Sequence, residues 1–139
     1  MAKRFGLLER KMQLSTRYGL AGIGALALLT VVHRLRDNPR WSGPTSDYLL
    51  GTLPNFAAAI AIAFVLLSIW TNHKGDAAPR SVKRRFLICA SISGVGLLAW
   101  EAIQTTSDRF VFDLNDIGAT ALGILVAGLL FWIVTPKTR

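Results

Sequence analysis

Long apolar blocks separated by short polar segments dominate the chain. Four such blocks occupy about residues 18–35, 49–70, 86–103 and 117–134. Each is about 18 to 22 residues long, close to the roughly 20 helical residues that cross the apolar core of a bilayer. Few polar residues interrupt them, whereas a surface helix of a soluble protein carries a polar face. The pattern predicts an all-α membrane protein, a bundle of four transmembrane helices.

The composition supports this class and narrows the chemistry. Hydrophobic residues make up 52% of the 139 residues and charged residues only 17%, against roughly 25% charged in an average soluble domain. A single cysteine excludes an internal disulfide, and one cysteine with two histidines is too few for a closed structural zinc site, which takes about four ligands. His33 and His73 fall at opposite ends of the predicted bundle, so they cannot ligate one haem together. We therefore expect neither a metal nor a cofactor.

The basic residues predict an orientation. The net charge is +8, and 12 of the 16 Lys and Arg residues lie before the first block, between the second and third, or after the fourth. The positive-inside rule then predicts that both termini are cytoplasmic, in what we expect to be a bacterial inner membrane.

Residues 1–17 form a basic segment, interpreted as a short amphipathic helix on the inner leaflet or as a frayed tail, and residues 135–139 form a cytoplasmic tail. Nucleic-acid binding is not expected, because the basic residues flank span ends and form no separate patch.

Small residues recur at helical spacing in every block. In lipid, such residues allow close helix contact, and they indicate a compact bundle or surfaces for other membrane subunits. Gly123 in particular is predicted to lie against another helix, because Ala119 and Ala127 continue its stripe. The small residues concerned are Ala21, Gly22, Ala25, Ala59, Ala63, Ala90, Gly94, Ala119, Gly123 and Ala127.

Polar residues gather at the predicted outer side, around the segment between the third and fourth blocks. Glu101 and Gln104 are three residues apart and share a helix face. A carboxylate near the membrane boundary needs a partner, and Arg109 is the only basic residue in this segment. The candidate ligand-binding residues are Glu101, Gln104, Arg109, Asp113, Asp116, Asp47 and Asn55.

The same residues also fit a purely structural role. Asp113 can cap the fourth helix, and Asp116 in its first turn would interact well with the helix dipole. Asp47 can cap the second helix in the same way. Arg109 can be a solvated loop residue or a partner for Glu101. Local physics leaves both interpretations open.

The motif Glu101-x-x-Gln104, then Arg109, then Asp113-x-x-Asp116, resembles the signature of VanZ-like membrane proteins. The match extends through Thr120-x-x-Gly123 and upstream to an aspartate-led stretch that begins at Asp47, and it covers about residues 47–128. The chain departs from the family pattern in two regions. Tyr48 and Asn55 stand near the aspartate where the family often has Lys-x-x-His-like residues, and Thr120 replaces a common asparagine. The resemblance implies an envelope protein linked to tolerance of glycopeptide antibiotics such as teicoplanin.

Three functions from different classes remain. The first is an outward-facing polar site that binds an envelope ligand: a lipid headgroup, a lipid-linked precursor or a glycopeptide antibiotic. The second is a small accessory subunit of a larger membrane complex. The third is a hydrolase or transferase that uses Glu101 and an aspartate as acid and base. Enzyme activity is the least favoured of the three, because no nucleophile or metal triad accompanies these acids, and Cys89 is expected to be a small buried side chain. We therefore assign no catalytic residue.

Overall fold

The computed structural model describes residues 13–74, 78–104 and 114–136. In this part of the chain, four long helices follow one another: α1 (Leu14–Arg36), α2 (Pro44–Lys74), α3 (Pro79–Gln104) and α4 (Leu114–Val134). A short 3-10 helix (Pro39–Trp41) connects α1 to α2. The prediction of an all-α bundle of four membrane-length helices is confirmed, and each predicted apolar block lies inside one of them.

Proline marks two of the helix starts. Pro44 opens α2 and Pro79 opens α3, where the missing N–H has no intrahelical acceptor in any case. The first helix begins at Leu14, four residues before the first predicted block. The predicted amphipathic segment therefore overlaps α1 at residues 14–17, and residues 1–12 lie outside the described chain, as do residues 137–139 of the predicted tail.

The helices run alternately up and down, and α2 packs against each of the other three. Four aromatic rings fill the core at one end of the bundle. The rings of Phe86 and Phe131 stack with centroids 4.4 Å apart, and the Tyr18 ring lies 6.0 Å from that of Phe131. The Tyr18 hydroxyl is 2.9 Å from Oγ1 of Thr135, so this buried phenol keeps a hydrogen-bond partner.

Glycine brings α4 unusually close to α2. A Cβ added at Gly123 would lie 2.6 Å from the carbonyl oxygen of Phe56 and 2.8 Å from Cβ of Ala59. The predicted contact of Gly123 with another helix is therefore confirmed. Gly22 serves the same purpose between α1 and α2, since a Cβ there would lie 3.0 Å from Cγ2 of Val65. Contact between helix backbones is a common way to hold membrane helices together.

The outer faces of the bundle are strongly apolar. Large apolar side chains are more than half exposed, among them Ile23, Val95, Leu125 and Ile133. Soluble monomeric proteins rarely expose apolar surface of this extent. Each helix is long and apolar enough to cross a membrane by length and composition. These properties define an integral membrane protein.

The two ends of the bundle differ in charge. All four acidic residues of the described chain lie at one end, which we call the Glu101 end. Six of the described basic residues lie at the opposite end, which we call the basic end, and no described acidic residue accompanies them. The acidic residues are Asp37, Asp47, Glu101 and Asp116; the basic ones are Arg17, Lys74, Arg80, Lys83, Arg84 and Arg85.

Candidate functional site

A carboxylate lies buried between α2 and α3 at the Glu101 end. Glu101, in the last turn of α3, is only 2% exposed. The side-chain amide of Asn55, three turns into α2, donates a 2.9 Å hydrogen bond from Nδ2 to Oε1 of Glu101. Helical side chains lean toward the N-terminus of their own helix. Because α2 and α3 run in opposite directions, the two side chains lean toward one another and meet.

The second oxygen of Glu101 is the unusual feature. Oε2 is buried and has no hydrogen-bond partner within the described residues. Buried polar groups in folded proteins are almost always hydrogen-bonded. An ionisable side chain inside a membrane protein normally pairs with another polar or charged group. Within the described residues, Glu101 is therefore held through Oε1 alone, and Oε2 has no hydrogen-bond donor.

A second unpaired polar group lies on the neighbouring helix. Thr120 of α4 is buried, and its Oγ1 has no hydrogen-bond partner in the described chain. Thr120 precedes Gly123 by one helical turn, and Gly123 contacts Phe56, the residue after Asn55. The parallel register of α2 and α4 thus puts Thr120 close to the level of Asn55. Side chains from α2, α3 and α4 supply polar groups to the same end of the bundle.

A second buried polar side chain of the α2–α3 contact does have a hydrogen-bond partner. Ser93, two turns before Glu101, is buried and donates a 2.9 Å hydrogen bond to the carbonyl oxygen of Ala59. This hydrogen bond shows that the interface between α2 and α3 can satisfy a buried polar group.

A groove opens between α2 and α4 at the same end. Its volume is about 430 Å³, and apolar side chains form most of its lining, including Phe56 and Leu122. A polar pair lies at its mouth, where the Tyr48 hydroxyl donates a 3.3 Å hydrogen bond to Oδ1 of Asn115. The groove therefore combines a mostly apolar lining with one hydroxyl and one amide group at its mouth.

The structure brings some of the predicted site residues together and separates others. Asn55 and Glu101 form the hydrogen-bonded pair. Gln104 ends α3 on the same face as Glu101 and is half-buried. Asp116 is half-buried in the first turn of α4, the position that the dipole argument predicts. Arg109 and Asp113 lie outside the described residues.

Asp47 differs from its predicted role as a helix cap. It is the fourth residue of α2, it is exposed, and its own N–H donates to the carbonyl oxygen of Gly43. The interpretation of Asp47 as the cap of this helix is wrong, because α2 begins at Pro44, five residues before the predicted apolar block. Two helical turns separate Asp47 from Asn55.

Sequence reasoning did not select Ser93, Tyr48 or Asn115. Serine is common in membrane helices, so the buried bond of Ser93 has no distinctive signature. The Tyr48–Asn115 pair depends on the parallel contact of α2 with α4, and the order of helices around a bundle cannot be read from hydropathy. Cys89 is buried, as expected.

The part of the site that the structure describes shows no arrangement typical of a metal centre. Among the described residues, no group of three or more His, Cys, Asp or Glu side chains could hold a metal ion. Comparison of the chain with models of known protein families gave no match, and comparisons with curated proteins and with solved structures likewise gave none. The molecule is thus defined as a four-helix integral membrane protein with a buried carboxylate–amide pair at one end.

Proposed function

We propose that this is a VanZ-like membrane protein whose Glu101 end faces out of the cell and binds an envelope ligand. The ligand is a lipid headgroup, a lipid-linked precursor or a glycopeptide antibiotic. The observation that carries the proposal is the buried Oε2 of Glu101, which has no hydrogen-bond partner among the described residues. Burying a carboxylate without satisfying both oxygens weakens a fold, so a functional role explains its presence better than stability does.

The chemistry of the site limits the group that it binds. A carboxylate oxygen accepts hydrogen bonds, so the bound group is an N–H or O–H donor. Ammonium headgroups, sugar hydroxyls and peptide amides all meet this requirement. The groove beside Tyr48 and Asn115 would take an apolar part of the same ligand, since its lining is mostly hydrocarbon.

Access to Glu101 requires a small movement of α2. Pro54 lies inside this helix, directly before Asn55. Proline has no N–H to donate to the carbonyl of Leu50, and its ring pushes against that carbonyl. The first three turns of α2 are therefore held less firmly than the rest. We propose that their displacement exposes Oε2 of Glu101 to the ligand.

The orientation is testable with cysteine labelling. In a Cys89→Ala background, we expect a membrane-impermeant thiol reagent to label Ser42→Cys from outside the cell and to leave Ala78→Cys unlabelled. Both positions are exposed and lie at opposite ends of the bundle. The physical reason is the excess of basic residues at the end that holds Ala78. Labelling of Ala78→Cys alone would place the Glu101 end in the cytoplasm and contradict an envelope ligand.

The proposed function is testable in cells. Cells that express the wild-type chain should tolerate more teicoplanin than cells without it, and Glu101→Gln should abolish the difference while the protein still inserts in the membrane. Asp37→Asn is the matched control, because it makes the same acid-to-amide change at an exposed position of the same end. Full tolerance in Glu101→Gln cells would contradict a role of the carboxylate.

An accessory-subunit function is the second candidate, and the outer glycines favour it. A Cβ added at Gly24, Gly96, Gly118 or Gly128 would meet no atom within 4 Å. Such positions let another helix approach closely. If the chain is a subunit, Gly96→Leu should weaken its association with a partner and leave its own fold unchanged. Co-purification of a stoichiometric partner with the wild-type chain, lost in Gly96→Leu, would support this function.

A further inference from the structure

A cleft lies between α3 and α4, in the half of the bundle nearer the Glu101 end. Its volume is about 360 Å³, and Thr120 is the one described lining residue that has a polar side chain. Two of the lining side chains, Leu98 and Leu125, are also exposed on the outer face of the bundle. The cleft therefore opens sideways, toward the hydrocarbon of the surrounding membrane.

The hydroxyl of Thr120 is unusual for a threonine in a membrane helix. Thr120 is only 2% exposed, and its Oγ1 has no hydrogen-bond partner in the described chain. A threonine inside a helix commonly donates to the carbonyl oxygen one turn earlier, as the hydroxyls of Thr30 and Thr52 do here. Thr120 makes no such bond, so a molecule in the cleft would find both a donor and an acceptor on its wall.

The register of α3 and α4 places Thr120 just below Glu101. A Cβ added at Gly94 would lie 3.8 Å from Cγ1 of Ile124, so these two residues face one another. Because the two helices run in opposite directions, Leu98 is level with Thr120, and Glu101 lies about 4.5 Å further toward its end of the bundle, at 1.5 Å per residue. The hydroxyl of Thr120 and Oε2 of Glu101 are both buried without a partner in the described chain, and they follow one another along the bundle.

This order of groups matches the order of groups in a glycerolipid. Trp100 is 55% exposed beside Glu101, and tryptophan is enriched at the level of lipid headgroups. A carboxylate at this level bonds most strongly to a positively charged N–H donor. Thr120 lies deeper, where its hydroxyl can donate to the carbonyl oxygen of an acyl ester. The apolar cleft beside Thr120 then suits an acyl chain.

We infer that the ligand of the Glu101 site is a membrane lipid with a primary ammonium headgroup, and that one of its acyl chains lies in the cleft between α3 and α4. The inference rests on the proposed function, because it takes Glu101 as part of a ligand site, and it narrows the ligand to one class. The ammonium group donates to Oε2 of Glu101, and the Thr120 hydroxyl donates to an ester carbonyl. The groove beside Tyr48 shares no lining residue with the cleft, so a second acyl chain has a separate surface.

The experiment is a lipid titration of the purified full chain in mild detergent, read by native mass spectrometry and by thermal unfolding. The probes are phosphatidylethanolamine, phosphatidylcholine with the same acyl chains, and glycerophosphoethanolamine. The ammonium group of phosphatidylcholine has no N–H, so we expect the wild-type chain to bind phosphatidylethanolamine about tenfold more tightly. Glycerophosphoethanolamine should not raise the unfolding temperature, because it lacks acyl chains.

A matched pair of alanine variants locates the acyl chain. Ala121 is exposed and lines the cleft, so Ala121→Phe should fill the cleft without disturbing the bundle. Its affinity for phosphatidylethanolamine should fall about tenfold, the loss expected when two methylene groups are no longer buried. Ala99→Phe makes the same change at an exposed position of α3 that does not line the cleft, and it should bind as the wild-type chain does.

Two further variants test the polar contacts. Thr120→Val keeps the shape of the side chain and removes the hydroxyl, so the affinity for phosphatidylethanolamine should fall about three- to tenfold. The unfolding temperature of Thr120→Val without lipid should be unchanged or higher, because a buried hydroxyl without a partner in the described chain is lost. Glu101→Gln should remove most of the preference for phosphatidylethanolamine over phosphatidylcholine.

Several results would overturn the inference. Equal affinity of the wild-type chain for the two lipids is one, and a full preference for phosphatidylethanolamine in Glu101→Gln is another. Wild-type affinity in Ala121→Phe or in Thr120→Val would do the same, as would an equal loss in Ala99→Phe. Stabilisation by glycerophosphoethanolamine as large as that by the lipid would assign the site to a soluble ligand. The proposed function fails separately, if Glu101→Gln cells keep their full tolerance of teicoplanin.

Discussion

Replacing Gly123 by alanine is expected to destabilise the bundle by about 1–3 kcal/mol, the range for overpacking in a tightly packed core. The added methyl group would lie 2.6 Å from the carbonyl oxygen of Phe56 and 2.8 Å from Cβ of Ala59. The first of these is a backbone atom of α2, so no side-chain rotation relieves the clash and α4 must move away from α2. Unfolding in mixed detergent micelles would measure the loss.

Gly128→Ala is the matched control for this prediction. It introduces the same methyl group into the same helix, where a Cβ meets no atom within 4 Å. Alanine has the higher helix propensity, so this variant should be neutral or more stable by up to about 1 kcal/mol. Equal stability of Gly123→Ala and the wild-type chain would contradict the close contact between α2 and α4.

The second large effect is expected at Asn55. Asn55→Leu removes the only side-chain hydrogen bond that Glu101 makes within the described residues and leaves a buried carboxyl group with two unpaired oxygens. We expect a loss of about 1–2 kcal/mol in the free energy of unfolding, because such a group keeps its desolvation cost without compensation. Detergent unfolding of the single variant would measure it.

A double variant separates stability from function at this site. Asn55→Leu with Glu101→Leu replaces both polar partners by apolar groups, a change that is often neutral or stabilising in buried positions. We expect the double variant to recover most of the stability lost in Asn55→Leu and to lack the proposed ligand binding, because the carboxylate is gone. If the double variant is less stable than Asn55→Leu alone, Glu101 is a structural residue rather than a binding residue.

Hydropathy and spacing predicted the properties that belong to a single helix, namely its length and its contact face. The lengths of the four apolar blocks indicated four spans, because a bilayer imposes the same minimum on each of them. The interval between Ala119, Gly123 and Ala127 indicated a contact face, because small residues are useful in lipid only where helices touch. The start of α2 was predicted five residues late, since the polar first turn of a membrane helix lies outside the apolar core.

Contacts between helices were less predictable. The sequence indicated that Asn55 and Glu101 lie at the same end, but their hydrogen bond depends on α2 packing against α3. Tyr48 and Asn115 were missed for the same reason, because their pairing requires α2 beside α4. The donors and acceptors of a membrane bundle are matched across helices, and hydropathy carries no information about which helices are neighbours.

The most direct test of the proposed function is to ask whether a molecule co-purifies with the chain in a way that depends on Glu101. The wild-type chain, Glu101→Gln and Asp37→Asn are purified in mild detergent from the same membranes, and bound molecules are compared by native mass spectrometry. The account predicts that an envelope molecule with N–H or O–H donors accompanies the wild-type chain and Asp37→Asn and is missing from Glu101→Gln. Equal retention of every bound molecule by Glu101→Gln would contradict the account.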